Sequence, residues 1–211
     1  LESAVEGLIP VESPTLRLYR APSDEHAVLD QPPRDEHGVP AYYMLDYAST
    51  MIVEQLQVDG FHHVLDLCAA PGGKSIAIAQ SLSPQGELTS NEANRERAAR
   101  LKRNLYEFIP PNSCVWQVTM RDATTWHSPE AFDRVLVDAP CSSERHLLQQ
   151  AGGTSDWTPN VTQDLAKIQG ALLLRAFEAA KCGGRVVYST CSISAAENDD
   201  VVSYALARTR C

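Results

Sequence analysis

Val64-Leu65-Asp66-Leu67-Cys68-Ala69-Ala70-Pro71-Gly72-Gly73-Lys74-Ser75 is the stretch that decides how this chain folds. An apolar run stops at Ala-Ala-Pro-Gly-Gly, and an apolar-periodic segment follows. The pattern predicts a buried strand, a tight glycine turn and a helix. Glycine lets the backbone approach a ligand closely. A helix that starts at such a turn points unpaired N–H groups at whatever sits there. In an open parallel sheet, nucleotide-like ligands bind beyond the carboxyl ends of the strands, which is where this turn falls. Gly73-Lys74-Ser75 matches the last residues of a phosphate-binding P-loop. That motif also needs a glycine five residues before Gly73, and position 68 is cysteine. Lys74 is therefore not read as a phosphate clamp.

The alternation continues outward from this stretch. Strands are expected at 63–68, 87–91, 114–118, 134–138 and 185–190. Helices are expected at 42–57, 73–82, 94–108, 162–181 and about 195–208, with a short one after the third strand. Met44, Tyr47, Ala48, Met51, Ile52 and Leu56 fall on one helical stripe. Ala98, Leu101 and Leu105 form another, and Leu165, Ile168, Leu172 and Phe177 a third. Pro110-Pro111 should end one helix and Gly183-Gly184 cap another. Strands alternating with helices imply βαβ units, right-handed crossovers and a parallel sheet of five core strands. Residues 1–40 are rich in proline and acid and read as a separate N-terminal segment. They offer a candidate strand at 16–22 and a loop at 30–38. Residues 41–211 read as the functional domain.

Composition narrows the class. The chain has 211 residues, 44% of them apolar, enough for one core. No apolar stretch approaches the ~20 residues of a membrane span. The net charge of −9 is unevenly spread. Residues 1–60 carry 11 acidic and 3 basic side chains, and the remainder is close to balance. Nucleic-acid binders usually carry a basic footprint, which the chain as a whole lacks. That counts against a free-standing high-affinity RNA or DNA binder, and leaves room for a local basic face or a basic partner protein. The six cysteines are far apart, with no C-x-x-C pair, so reduced thiols are expected. The histidines do not join them at ligand spacing, so no metal is expected.

Several residues carry chemistry. Glu92 follows the second strand, 20 residues after Gly72, where a carboxylate can accept from a ribose. Asp122, after the third strand, suits an adenine-type amino group. The spacing alone does not separate a nicotinamide dinucleotide from S-adenosylmethionine. The absence of G-x-G-x-x-G favours the latter. Asp138-Ala139-Pro140-Cys141 ends the fourth strand and Ser189-Thr190-Cys191-Ser192 the fifth. Both thiols should face the crevice of the glycine turn. Cys68, Cys114 and Cys182 are read as structural. Arg95, Arg97, Arg100, Lys102 and Arg103 share a helix and read as a solvated face, whereas Arg145 is the better phosphate contact.

Taken together, 65–74, Asn91-Glu92 with Arg97, Asp138–Cys141 and Ser189–Ser192 resemble the Nol1/Nop2/Sun family of RNA cytosine-5 methyltransferases, over about residues 41–203. The segment after Cys141 looks most like the compact mitochondrial members, which act on transfer or ribosomal RNA. The resemblance implies a Rossmann-like class I methyltransferase: an α/β fold with a mainly parallel sheet and helices on both faces. It implies S-adenosylmethionine bound by Cys68, Ala69, Ala70, Pro71, Gly72, Gly73, Lys74, Glu92, Asp122 and Asp138, with Arg97 in support. Cys191 would be the nucleophile, Cys141 would assist product release, and Asp138 would hydrogen-bond the base. Glu92 stands where many members have Asp. Sheets of this kind normally end in an antiparallel hairpin. Only 19 residues follow Ser192, so a sheet without that hairpin, in a truncated chain, is expected. The expected compartment is intracellular, mitochondrial or nuclear/nucleolar. A non-catalytic assembly factor and a DNA cytosine-5 methyltransferase are the alternatives. A small-molecule methyltransferase would need neither cysteine.

Overall fold

The computed structural model describes residues 8–21, 31–143 and 158–209. Near the N-terminus β1 (Ile9–Val11) pairs antiparallel with β2 (Leu18–Arg20). The centre is a parallel five-stranded sheet: β3 (His63–Asp66), β4 (Glu87–Asn91), β5 (Val115–Thr119), β6 (Phe132–Asp138) and β7 (Ala180–Ser189). The spatial order is β5-β4-β3-β6-β7. The chain winds one way from β3 to β5 and then crosses back to lay β6 on the other side of β3. That reversal opens a crevice beyond the carboxyl ends of β3 and β6.

Side chains alternate across each strand, so each inner strand feeds two cores. Val64 and Leu136 meet α1 (Tyr47–Gln55), α2 (Gly73–Ala79) and α3 (Arg95–Phe108) through Val53, Ile76, Ile78, Leu101 and Leu105. Leu65, Val135 and Val137 meet Leu172, Ala176 and Ala179 of α4 (Pro159–Ala179), with Trp126 alongside. A short 3-10 turn (Ala195–Glu197) leads into α5 (Asp199–Leu206). Val201 and Ala205 of α5 pack with Leu173 of α4. Fully burying a leucine such as Leu65, Leu101 or Leu136 contributes about 1.5–3 kcal/mol.

Four helical expectations change. On α1 the inward face is Ser49, Thr50 and Val53, continued by Leu56, while Met44, Tyr47 and Met51 are exposed. Local hydrogen bonds make this possible. Asp46 caps the helix by accepting from Ser49 N at 3.0 Å and Ser49 Oγ at 2.6 Å, and Thr50 donates to Tyr47 O. On α4, Ile168 is exposed and Gln169 is fully buried: its Nε2 donates to Pro140 O and Glu197 Oε2, while its Oε1 lacks a partner among the described residues. Residues 120–131 form turns and no helix. Gly183-Gly184 does not cap α4. The helix ends at Ala179, and both glycines lie within β7, beside a register shift between Phe132 and Arg134. Ala98, Leu101 and Leu105 do face inward on α3, which stops before Pro110.

Candidate active site

The turn after β3 builds one wall of a cavity of about 270 Å³. Gly72 adopts φ +111°, which lets the chain reverse into α2. A Cβ on Gly73 would meet Leu45 Cδ1 at 2.8 Å and Tyr43 Cε1 at 3.1 Å, so glycine keeps this wall open. The lining also includes Cys68, Ala69, Ala70, Pro71, Lys74, Asp138, Asp46 and Asp66. Ala69 N donates to Asn91 O at 2.8 Å, tying the turn to β4. Asn104 Nδ2 donates to Pro71 O at 2.8 Å, tying it to α3.

Asp66 was not singled out from the sequence, yet it forms the floor. Its Oδ2 accepts from Ser75 Oγ at 2.6 Å. Its Oδ1 is buried and lacks a hydrogen-bond partner among the described residues; the nearby Cys68 N–H favours its charge without a well-formed bond. Burial, together with the Asp138 charge and against the help of Ser75 and Lys74, pushes this carboxyl up to about 7. Burial also pushes the Cys68 thiol up to about 12, so it is neutral. An orphaned buried acceptor calls for a donor from a ligand. S-adenosylmethionine, the cofactor expected from the sequence, carries an ammonium group that fits it.

Lys74 turns inward and donates to Asp138 Oδ2 at 2.8 Å, and Ser189 Oγ donates to Oδ1 at 2.9 Å. Asp138 is thus fixed from α2 and from β7. Glu92 lies outside the cavity lining but is buried, accepting from Asn94 N at 2.9 Å. Arg97 pairs with Glu92 Oε2 at 3.1 Å and reaches Ala70 O at 3.4 Å. Asp122 is exposed and off the cavity wall. Its Oδ1 accepts from Thr124 N and Oγ1, which hold its carboxyl below the usual range. Arg95, Arg100, Lys102 and Arg103 are exposed on α3, and Arg145 lies outside the described residues.

Cys141 and Cys191 come together as the strand ends predicted. β6 and β7 pair in parallel with Asp138 opposite Ser189, so the following loops run side by side. The structure joins the two sulfurs in a disulfide, with Cα atoms 6.2 Å apart, where reduced thiols were expected. Adjacent strand ends bring them within bonding reach despite 50 residues of separation. Cys191 N points at Cys141 Sγ, 3.3 Å away. Ser143, at φ +57°, holds its hydroxyl 3.5 Å from Cys191 Sγ and 3.9 Å from Cys141 Sγ. Cys114 is buried, but Cys182 is exposed rather than structural. Among the described residues no group of His, Cys, Asp and Glu could hold a metal, and no helix is long and apolar enough to cross a membrane.

Known proteins share this arrangement of elements. The chain is 38% identical over 197 residues to the 5-cytosine rRNA methyltransferase nsun-4 of Caenorhabditis elegans, covering 89% of this chain and 42% of that protein. It is 43% identical over 171 residues to the mitochondrial tRNA (cytosine(34)-C(5))-methyltransferase of Danio rerio, covering 79% and 46%. The crystal structure of NSun6 from Pyrococcus horikoshii with SFG matches with a TM-score of 0.70 at 25% identity, over 82% of this chain and 43% of that one. The chain therefore spans about half the length of the curated relatives it matches. A family profile matches residues 53–210, which hold the glycine turn, Asp138 and both cysteine loops, and the chain belongs to that family, 16S rRNA methyltransferase RsmB/F.

Proposed function

We propose that this chain carries the catalytic centre of an S-adenosylmethionine-dependent RNA cytosine-5 methyltransferase acting on transfer or ribosomal RNA. The observation that carries the reading is the convergence of Cys141, Cys191 and the Lys74–Asp138 pair at the carboxyl ends of β6 and β7, beside the cavity. Relatives named for ribosomal and transfer RNA support the substrate class. The mitochondrial name of the zebrafish relative favours that compartment, which cell fractionation would test.

When bound, S-adenosylmethionine supplies a methyl group made electrophilic by its sulfonium. Asp66, Lys74, Gly72 and Gly73, with the Cys68–Pro71 turn, would hold it, and Arg97 would steady Glu92 behind that turn. Cys191 acts only as a thiolate, so a thiol reductant must first open the Cys141–Cys191 bond by exchange, leaving both cysteines as thiols and the reductant as its disulfide. The thiolate adds to C6 of a flipped or single-stranded cytosine, forming S–C6 and moving the C5=C6 electron pair toward C5. The Lys74–Asp138 pair offsets charge on the ring by presenting a proton toward N3. Once C5 has taken up the methyl group with that electron pair, its proton must leave. Cys141, directly or through water, takes it; the electrons re-form C5=C6 and expel Cys191. Ser143, beside both sulfurs, is placed to move protons between them.

The test uses two variants with RNA and cofactor under reducing conditions. Cys191→Ala abolishes methyl transfer, and Cys141→Ala accumulates a protein–RNA adduct that survives denaturing electrophoresis. Full activity in both variants overturns the assignment. An adduct accumulating in Cys191→Ala instead makes Cys141 the nucleophile, as a DNA-type enzyme would require. Tight cofactor binding without methylated product from any cellular RNA supports the assembly-factor alternative.

A further inference from the structure

Glu197 is fully buried, and among the described residues it pairs with no lysine, arginine or histidine. Burying an ionisable side chain this way is unfavourable unless donors surround it. Four do. Its Oε2 accepts from Ser142 N at 3.1 Å and from Gln169 Nε2 at 2.7 Å. Its Oε1 accepts from Ser142 Oγ and from Ser192 Oγ, the latter at 3.1 Å. Ser142 follows Cys141, and Ser192 follows Cys191. One carboxyl group therefore grips the residue after each cysteine.

The grip is itself anchored. Gln169 on α4 donates from the same nitrogen to Pro140 O at 2.8 Å, so α4 holds the Pro140-Cys141 loop and Glu197 at once. Tyr188 on β7 donates to Glu197 O at 2.6 Å. Next along the chain, Asn198 Nδ2 donates to Ser192 O at 3.0 Å and to Ser194 O at 2.8 Å, while its Oδ1 accepts from Thr190 Oγ1 at 2.8 Å. The Cys191 loop is thus held through its backbone by Asn198 and through its side chain by Glu197. Glu197 lines no part of the cofactor cavity.

We propose that Glu197 is a positioning residue that sets the separation of Cys141 and Cys191 by tying Ser142 and Ser192 to one buried carboxyl group. Its catalytic consequence rests on the two-cysteine reading above; its geometric consequence does not. The two oxygens differ in what they face. Oε2 meets fixed N–H donors, whereas Oε1 meets only hydroxyls, which can turn to accept. Glutamine can therefore replace glutamate with its NH₂ toward Ser142 Oγ and Ser192 Oγ, keeping all four contacts. Alanine keeps none of them.

The experiment compares wild type, Glu197→Ala and Glu197→Gln in the full chain. The first readout is independent of methyl transfer: the equilibrium between the two thiols plus glutathione disulfide and the protein disulfide plus two glutathiones, read by alkylation and mass spectrometry. Glu197→Ala shifts it about tenfold toward the dithiol, and Glu197→Gln restores most of the loss. The second readout is kinetic. Glu197→Ala lowers kcat about a hundredfold with KM for the cofactor unchanged, as expected when reacting groups are misplaced. A wild-type redox equilibrium in Glu197→Ala overturns the proposal. So does a Glu197→Gln variant as impaired as Glu197→Ala, since charge rather than geometry would then be what matters. If Glu197→Ala does not fold, Ser142→Ala/Ser192→Ala decides: a shift in the same direction supports the tie, and no shift refutes it. If wild type transfers no methyl group while the redox shifts follow, the activity reading fails and the positioning stands.

Discussion

Asp66 ties cofactor affinity to pH in a way that can be worked out in advance. Its carboxyl is pushed up to about 7, and its Oδ1 is buried without a hydrogen-bond partner among the described residues. An ammonium group binds the ionised form. With a midpoint near 7, about 3% of Asp66 is ionised at pH 5.5 and about half at pH 7. Affinity for S-adenosylmethionine should therefore rise about fifteenfold between those values. Two neighbours stay constant across this window. Burial opposes ionisation of Asp46, but the Ser49 hydrogen bonds outweigh it and hold its carboxyl below the usual range, while Cys68 stays neutral. Isothermal titration calorimetry at fixed ionic strength, on wild type and Asp66→Asn, reads the effect. The variant should lose the slope and bind weakly throughout. The cofactor-free protein should show the opposite trend in stability. A folded-state value raised above the ordinary 3.8 stabilises fully below that value and loses its contribution as pH rises through about 7. Chemical denaturation should show that decline in wild type and not in Asp66→Asn. A flat affinity profile in wild type, or a slope that persists in Asp66→Asn, refutes the assignment of Asp66 as the cofactor's acceptor.

Gly73→Ala should weaken cofactor binding about tenfold, because its Cβ lands 2.8 Å from Leu45 Cδ1 at the cavity wall; calorimetry checks this, with circular dichroism to show that the fold is intact. Leu101→Ala, at a site with 0% exposure, should destabilise by about 2–5 kcal/mol, read from the midpoint of urea unfolding. Methyl transfer should require a thiol reductant, since Cys191 in the disulfide has no thiolate to offer; oxidised protein that still turns over would contradict the role given to Cys191.

The fold was legible where local pattern and tertiary environment agree. The glycine turn, the five strands and the α3 stripe follow from apolar runs, proline and glycine, which restrict the backbone whatever surrounds it. Periodicity misled on α1 and α4. There polar side chains go inward: Ser49 and Thr50 because they bond within their own helical turn to Asp46 and Tyr47 O, which apolar periodicity ignores, and Gln169 because its Nε2 meets Pro140 O and Glu197, partners distant in sequence. The stretch from the 3-10 turn into α5 did carry a clue, since the buried residues Glu197, Val201 and Ala205 recur every fourth position. A charge on an apolar stripe signals a buried partner set without naming it.

By itself the sequence determined the class of fold, the strand ends that carry Asp138, Cys141 and Cys191, and the turn that frames the cavity. Motif order and chain connectivity suffice for those. Only the tertiary structure decided that Lys74 belongs to Asp138, that Asp66 keeps an acceptor open, that Asp122 turns to Thr124, and that Glu197 ties the two cysteine loops together. Each of these links residues distant in sequence or selects among local partners. Their partnerships depend on strand register and helix packing, which fix distances to fractions of an ångström that residue spacing along a chain does not encode.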